Sequence, residues 1–524
     1  MQKLTYFSNS IWGPMVLGWL ISQIVATCLV YQSNVNLYYK MNTLLKLGYL
    51  IVPNQHVLKS LFQVTSAWWG GLFFTITLGT GLSFITIYIA INHKTNEHAY
   101  LPFRLWLIFL GIIISIIVID GWSALIFFII FIPLPVFWYT RHLSLNQTAR
   151  FFNIKLIHCF LIIGVLGMGA WQSGKLSFIN IRDYYLLSNP IGIQINHFYY
   201  RYTLYPAELF KPLHLKTIKT FHVNPQKNMN NTKSNDHLKK LVNQLKKYDY
   251  LYIPDINKPH GDMWIDISQH NKIILKTNNR NCYHYEMDNF YNNTKEILDS
   301  FSEKIDTNSI LRALTFMSLV WILPCVIMII LYDTIQFCIQ WAFPELISSY
   351  HKVGLIVGII ELILFSSMIF MLPQYESKYI NKSSCDETKA HKQNILIDLQ
   401  SNAWKDRLQA LRKITTCSLD IGEMDYEKSL SSPSIAERYW LARAFSKSQT
   451  KKTYYDIKRL LNDPHENVIC QALYALGKRG TKKDIADIKT ILNGSSFWYT
   501  QLYAYRALKR LNWHQYNGMG KLYP

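Results

Sequence analysis

Glu361 stands near the centre of an apolar run, in Gly358-Ile359-Ile360-Glu361-Leu362-Ile363-Leu364. An unpaired carboxylate in hydrocarbon is so costly that a pairing or transport role is the default expectation there. His158 lies near one end of another such run. Two chemistries follow: a proton or cation relay, or a protonated Glu361 hydrogen-bonded to a neighbouring helix. With one deep acidic group, the second is the expectation. Cys282, His284 and Glu286 alternate along 281–287. On a strand they share a face, and with His260 and Asp262 as neighbours they make a legal ligand set for zinc. The same alternation describes the solvated face of an edge strand, which is the simpler reading. Gly169 to Lys175 has the spacing of a phosphate-binding loop up to its lysine. Leu176 stands where Ser or Thr would hold magnesium, and the stretch follows an apolar run, not a strand, so no phosphate site is expected. No catalytic residue and no cofactor is implied.

The elements that would position these residues are more legible. Apolar runs at 11–31, 67–92, 105–119, 122–139, 155–171, 312–332 and 353–372 each approach the roughly 20 residues needed to cross a bilayer. A mean hydropathy of only +0.05 beside 50% hydrophobic residues averages over two solvents. The expectation is a mainly α, polytopic membrane bundle of about seven spans,. Its parts are a five-span region (1–171), an extramembrane α+β domain with an interfacial segment (172–308), a two-span hairpin (309–372), and a linker with a helical C-terminal region (373–524). The first run is too long for a secretory signal and lacks its cleavage site, so it reads as a retained span. Asp120-Gly121 makes a tight hairpin of the third and fourth runs, and Pro133 and Pro135 bend the exit of the fourth. Pro324 kinks the sixth. Gly354 with Gly358, and Gly164 with Gly167, give faces for close helix packing.

The formal charge of +21 is dispersed among aromatics and acids with no long run of one sign. Anionic lipid headgroups or an acidic protein partner therefore fit it better than nucleic acid, which is not expected. Asp333 to Lys352 suits an interfacial turn, so 172–308 and 373–524 face one compartment. Which compartment is contested. Short-loop charges (Lys3, Lys94, Arg104, Arg141, Arg150 and Lys155 against Lys40, Lys46 and Lys59) keep the N-terminus in the cytoplasm and export both domains. Lys304, Arg312, Lys378, Lys382, Lys389 and Lys392, flanking the last two runs, retain them. The absence of a CxxC pair or a legible disulfide framework among Cys282, Cys385, Cys417 and Cys470 adds weight to the cytoplasmic side. The expected location is a bacterial cytoplasmic membrane.

In the middle domain, Tyr184, Tyr185, Tyr199, Tyr200, Tyr202 and Tyr205 surround Arg182 and Arg201. This mixture suits a segment lying along the membrane interface, or else tyrosines covering a small core. A loop at 224–236, a helix at 237–247, strands at 250–254, 264–267 and 272–276 and a helix at 294–304 complete the unit.

The C-terminal region repeats internally. Ile457-Lys458-Arg459-Leu460-Leu461-Asn462 recurs 31 positions later as Ile488-Lys489-Thr490-Ile491-Leu492-Asn493. Ala472, Ala475 and Leu476 match Ala504, Ala507 and Leu508, and Ala444-Phe445 and Ala410-Leu411 continue the series upstream,. With Asp463-Pro464, Val468, Gly477 and Gly480, this stretch resembles HEAT-like repeats of the phycobilisome-lyase type over roughly 400–512. The resemblance implies an α-solenoid that binds protein. The chain departs from that pattern at Ile469, where an arginine commonly stands, and in its aromatic last repeat. Trp498, Tyr499, Tyr503 and Trp513 there read as a cap or as an exposed partner-binding patch. The functional expectation is a membrane-embedded scaffold or assembly protein that recruits a partner protein through the solenoid. The rivals are a transporter or ion-translocating subunit using Glu361, and a membrane enzyme working in the middle domain; a non-enzymatic role is preferred.

Overall fold

The computed structural model describes residues 11–95, 104, 107–108, 110–111, 124–142, 179–223, 232–254, 261–267, 272–277, 282–342 and 392–515. Among them, Trp12–Lys46, Val64–Ile91, Leu125–His142 and Ser309–Ile335 are helices long and apolar enough to cross a membrane. They correspond to the first, second, fourth and sixth expected runs, so four spans stand where seven were anticipated. The runs 105–119, 155–171 and 353–372 lie wholly or largely outside the described residues, and with them Glu361, His158 and the stretch 169–175.

The first helix runs well past the expected end at 31, because no Gly or Pro interrupts it before Gly48. That glycine takes a φ of 79°, a left-handed conformation that L side chains resist. Gly48 N donates to Leu45 O (2.9 Å) and Tyr49 N to Leu44 O (3.1 Å), closing the helix. At 35 residues the helix is about 52 Å long, so it projects beyond a hydrocarbon layer of about 30 Å.

The first two spans pack antiparallel through small residues. A Cβ on Gly18 would lie 1.9 Å from Ser83 Oγ, and one on Gly79 would lie 2.2 Å from Ser22 Oγ; Gly71 faces the backbone of Ala26 and Thr27. The third contact brings in Ser309–Ile335, where a Cβ on Gly81 would lie 2.0 Å from Ser318 Oγ. Lipid gives no hydrophobic drive between helices, so such approach is what holds spans together. At one end of the bundle Trp12 Nε1 donates to Asp333 Oδ2 at 3.0 Å, beside Tyr139. Near the start of Ser309–Ile335, Arg312 donates to Phe210 O, and Lys40 near the end of the first helix pairs with Asp262 of the sheet domain.

The middle domain is a five-stranded sheet of order β2-β1-β3-β4-β5, with β1 Lys219–Val223, β2 Tyr250–Tyr252, β3 Met263–Ile267, β4 Lys272–Lys276 and β5 Cys282–Glu286. β1 pairs in parallel with β2 and β3, and the β3/β4 and β4/β5 pairs are antiparallel. Its core is Phe221, Leu241, Ile265, Leu275, Phe290 and Phe301. β1 was not expected: its Thr220 and His222 are fully buried, and those polar types hid a central strand. Helix Thr232–Lys246 also begins inside the stretch 224–236 that reads as a loop.

The C-terminal region forms successive helix pairs, Lys392–Gln400 with Trp404–Thr416, Glu427–Leu430 with Ile435–Phe445, Lys451–Leu460 with Glu466–Arg479, and Ile485–Gly494 with Trp498–Arg510. The second helices pack on one another in order. Ile414, Phe445, Leu476 and Leu508 recur at equivalent, fully buried positions, as do Ala444, Ala475 and Ala507. A Cβ on Gly477 would lie 2.8 Å from Ala507 Cα. The arginine missing at 469 is present in the earlier pairs. Arg407 donates to Ser401 O (2.7 Å) and Arg438 to Ser432 O (2.5 Å), each six residues upstream, and Gln501 repeats the bond to Ser495 O at 2.8 Å.

Cys417 is disulfide-bonded, whereas Cys282 and Cys470 are free.

Candidate functional site

The candidate site is the junction where the C-terminal helices meet the membrane bundle, and it is built on segments 179–210 and 47–63. The first of these was expected to lie along the interface. It folds as a π-helical turn Ile181–Leu186 followed by helices Pro190–Tyr202 and Leu204–Phe210. Asn189 caps the longer helix by accepting from Gly192 N at 2.8 Å, and Pro190 suits its first turn. Ile191, Ile195, Phe198 and Tyr199 are exposed at helical spacing, and Phe198 meets Trp69 of the second span at 5.6 Å. The opposite face carries Asn196, His197 and Tyr200 to the C-terminal helices.

Asp183 is the centre of the junction. Fully buried, it accepts from Arg182 Nε (2.6 Å), Arg412 Nη2 (2.5 Å) and Trp440 Nε1 (2.6 Å), while Arg412 Nη1 reaches Asn180 Oδ1 at 2.9 Å. Two guanidiniums share one carboxylate, and aromatic faces take up the excess positive charge. Arg182 lies 4.1 Å above the Tyr439 ring, and Arg412 lies 5.2 Å from Tyr184 and 5.7 Å from Trp440,. A buried charge set of this kind is tolerable only when every member is paired.

A second contact joins Asn196 Nδ2 to Asn467 Oδ1 at 2.7 Å and Asn467 Nδ2 to Tyr200 Oη at 3.2 Å. Beside it the Tyr199 and Tyr499 rings stack at 5.8 Å. A third comes from the loop after the first span. Asn54 donates through Nδ2 to Leu492 O, Asn493 O and Ser495 O at 2.8, 3.0 and 2.9 Å, satisfying carbonyls at the end of helix Ile485–Gly494. Its backbone N–H donates to Gln501 Oε1 at 2.8 Å. The sheet domain is tied in as well: Asp249 accepts from Tyr505 Oη at 2.8 Å and pairs with Lys509 at 3.0 Å. The projecting end of the first helix sends Lys40 to Asp262 at 2.6 Å. Burial opposes the charge on Asp262, but Lys40 and Lys216 together hold its carboxyl below the usual carboxylate range,.

Trp498, Tyr499, Tyr503 and Trp513 are therefore not an exposed patch. Trp498 is only 4% exposed and lies under Lys211 Nζ at 4.5 Å; Tyr499 packs on Tyr199 and Tyr200, and Tyr503 and Trp513 are half-buried. Helix Pro190–Tyr202 lies beside helix Trp498–Arg510 through Tyr199 and Tyr200. Cys282, His284 and Glu286 do share one exposed face of edge strand β5. The outer two, four residues apart on one extended strand, are separated by about 13 Å at the backbone, too far for all three to close on a single ion. Asp262 is committed to Lys40 and Thr220, and His260 lies outside the described residues. Among the described residues no three His, Cys, Asp or Glu side chains could hold a metal.

The sequence reading also passed over a polar cluster inside the bundle. Gln23 accepts from Thr75 Oγ1 (2.8 Å) and donates to Trp68 O (2.8 Å), while Trp19 Nε1 donates to Thr80 Oγ1 at 3.0 Å. These groups surround a π-helical segment, Thr75–Gly79, which packs against a second one, Ser318–Ile322. An amide in the midst of an apolar run was the signal available for it. Comparison with family models, curated proteins and solved structures finds no match for this chain.

Proposed function

We propose that the protein is a membrane-embedded scaffold or assembly protein whose C-terminal helix pairs, as a HEAT-like α-solenoid, offer a surface at the membrane to a partner protein. The carrying observation is the junction itself. Buried ionic, amide and aromatic contacts from segments 179–210 and 47–63 fix one side of the repeats to the bundle, and such fixing serves a platform better than a tethered arm. A seven-span topology with both extramembrane regions on one face belongs to the same proposal. The basic residues flanking the last two runs, Lys304 and Arg312 before the sixth and Lys378, Lys382, Lys389 and Lys392 after the seventh, support the cytoplasmic side of a bacterial membrane for that face. A photo-reactive residue at exposed Tyr455 or Lys478, with one at Lys239 of the sheet domain as control, should give a discrete protein adduct from the repeats and none from the control. Repeats that yield no adduct at any exposed position end this reading.

The Gln23 cluster favours a second reading, an ion-translocating subunit in which the two π-helical segments and Glu361 belong to one path. Proton or cation flux in proteoliposomes, abolished by Gln23→Leu, is its signature.

A further inference from the structure

One register of the C-terminal helices carries charge that nothing in the described chain neutralises. Arg412, Arg443, Tyr474 and Arg506 occupy equivalent places on the four successive second helices, at spacings of 31, 31 and 32 residues. One turn further on come Lys447, Lys478 and Arg510, again in register. Only Arg412 meets an acid, the buried Asp183. Arg443, Lys478 and Arg510 instead converge on the Tyr474 ring at 5.8, 4.8 and 4.6 Å. Lys447, Lys478, Arg506 and Arg510 are exposed. None of these five cations takes part in the ion pairs found among the described residues. Burial would raise the Tyr474 hydroxyl, but its bond to Lys478 and the charges of Lys478, Arg443 and Arg510 draw it below its ordinary value. Like charges held in repeat register around one ring repel, and a bound anion relieves that repulsion.

We infer that this cation ladder, Arg443, Lys478 and Arg510 around the Tyr474 ring with Lys447 and Arg506 in the same repeat register, is the docking site for an acidic, extended segment of a partner protein. The inference rests on the scaffold reading and names the chemistry of its partner. The occupant is argued from charge complementarity, and the chain supplies its own example: at the equivalent position one repeat earlier, a polypeptide carboxylate, Asp183, bridges Arg412 and the Trp440 indole. Spacing agrees. Packed helices lie about 8–10 Å apart, which an extended chain covers in roughly three residues, so an acid at every third position meets successive rungs.

The test uses the full chain in nanodiscs of zwitterionic lipid and a fluorescein-labelled peptide of Glu-Ser-Ser repeats, read by anisotropy. Wild type should bind saturably, and more weakly as salt rises. Arg443→Gln/Lys478→Gln/Arg510→Gln should weaken binding by about tenfold or more without lowering the thermal transition. The matched variant Lys405→Gln/Lys482→Gln/Lys483→Gln, on exposed positions elsewhere, should bind as wild type does. Equal affinity in the ladder variant, or equal loss in the matched one, overturns the proposal. So does a peptide that fails to bind while vesicles containing phosphatidylglycerol are captured through the same three cations, which would make this a headgroup site. A ladder variant that keeps both peptide binding and the photo-adduct fails the ladder and leaves the scaffold standing. Peptide binding lost in that variant, with no adduct from wild type, supports the ladder and removes the scaffold.

Discussion

The membrane helices meet one another through the smallest side chains available, whereas the C-terminal helices meet the bundle through some of the largest and most polar. Gly18 against Ser83 and Ser22 against Gly79 bring two backbones close where lipid competes for every apolar contact. Arg412, Trp440 and Asp183 do the reverse, filling a gap between two surfaces that water would otherwise enter. The first contact depends on small volume at these positions, with the Gln23 and Trp19 hydrogen bonds beside it. The second depends on a closed charge set, so its register is fixed by partners that no neighbouring side chain can replace. The C-terminal helices are therefore held in one position on the bundle by contacts of a different chemistry from those that hold the bundle itself together.

Breaking the charge set should have the largest effect. Asp183→Ala leaves Arg412 buried and the part-exposed Arg182 without their carboxylate, a loss of about 3–5 kcal/mol. The C-terminal helices should then become protease-sensitive while the spans stay folded, as limited proteolysis in detergent would show. Arg412→Met in the same chain should restore part of the loss by removing the orphaned charge. If the double variant is no better than Asp183→Ala, the ion pair does not define the junction.

Overpacking the spans tests the other side. Gly18→Val should destabilise the bundle by about 1–3 kcal/mol, and Ser83→Gly should relieve it, because the conflict is one of volume. Thermal unfolding of the purified protein reads both. Rescue here, with no rescue of Asp183→Ala by any small residue at 412, would sharpen the distinction between shape and charge.

Four of the apolar helices and the C-terminal helix pairs were legible in the sequence for the same reason that they fold: apolar runs and recurring small and apolar positions mark them, and burial follows those positions. The junction has none. Asp183 sits in Ile181-Arg182-Asp183-Tyr184, a string that suits an exposed interface as well as a buried one, and its partners are 229 and 257 residues away. β1 escaped because buried Thr220 and His222 look like surface residues, although Thr220 is satisfied by Asp262. The terminal aromatics were read as a cap or a patch because their cover, helix Pro190–Tyr202, comes from a distant part of the chain. Cys282, His284 and Glu286 were placed on one face of a strand by their alternation alone, and that face is the exposed side of β5,.

Asn54→Ala should have an intermediate effect. Its amide serves three carbonyls at the end of helix Ile485–Gly494, and leaving them dry costs about 1–3 kcal/mol. Hydrogen exchange should quicken at 485–501 and hardly change at 404–445. Uniform exchange across both would mean that the loop after the first span does not hold the last repeat.

The smallest effect should come from pH, at the contact between the first helix and the sheet domain. Lys40 and Lys216 hold the Asp262 carboxyl below its ordinary value against the opposing influence of burial. A group whose pKa falls on folding contributes stability above its unfolded value and loses it as pH drops through the folded one. Stability at this contact should therefore be full near neutrality and decline only below about pH 4, the range where an unperturbed aspartate begins to protonate. Asp262→Asn should lower stability at neutral pH and flatten the acid limb by this group's share. Lys40→Met, by removing the closer cation, should move that limb toward higher pH. Cysteines at 40 and 262 in a background lacking the native thiols would report the contact directly, since their cross-linking should persist in Ser22→Ala and Asn54→Ala. Cross-linking lost in either would tie this outer contact to the bundle interior or to the last repeat, and the three contacts could no longer be treated as independent anchors.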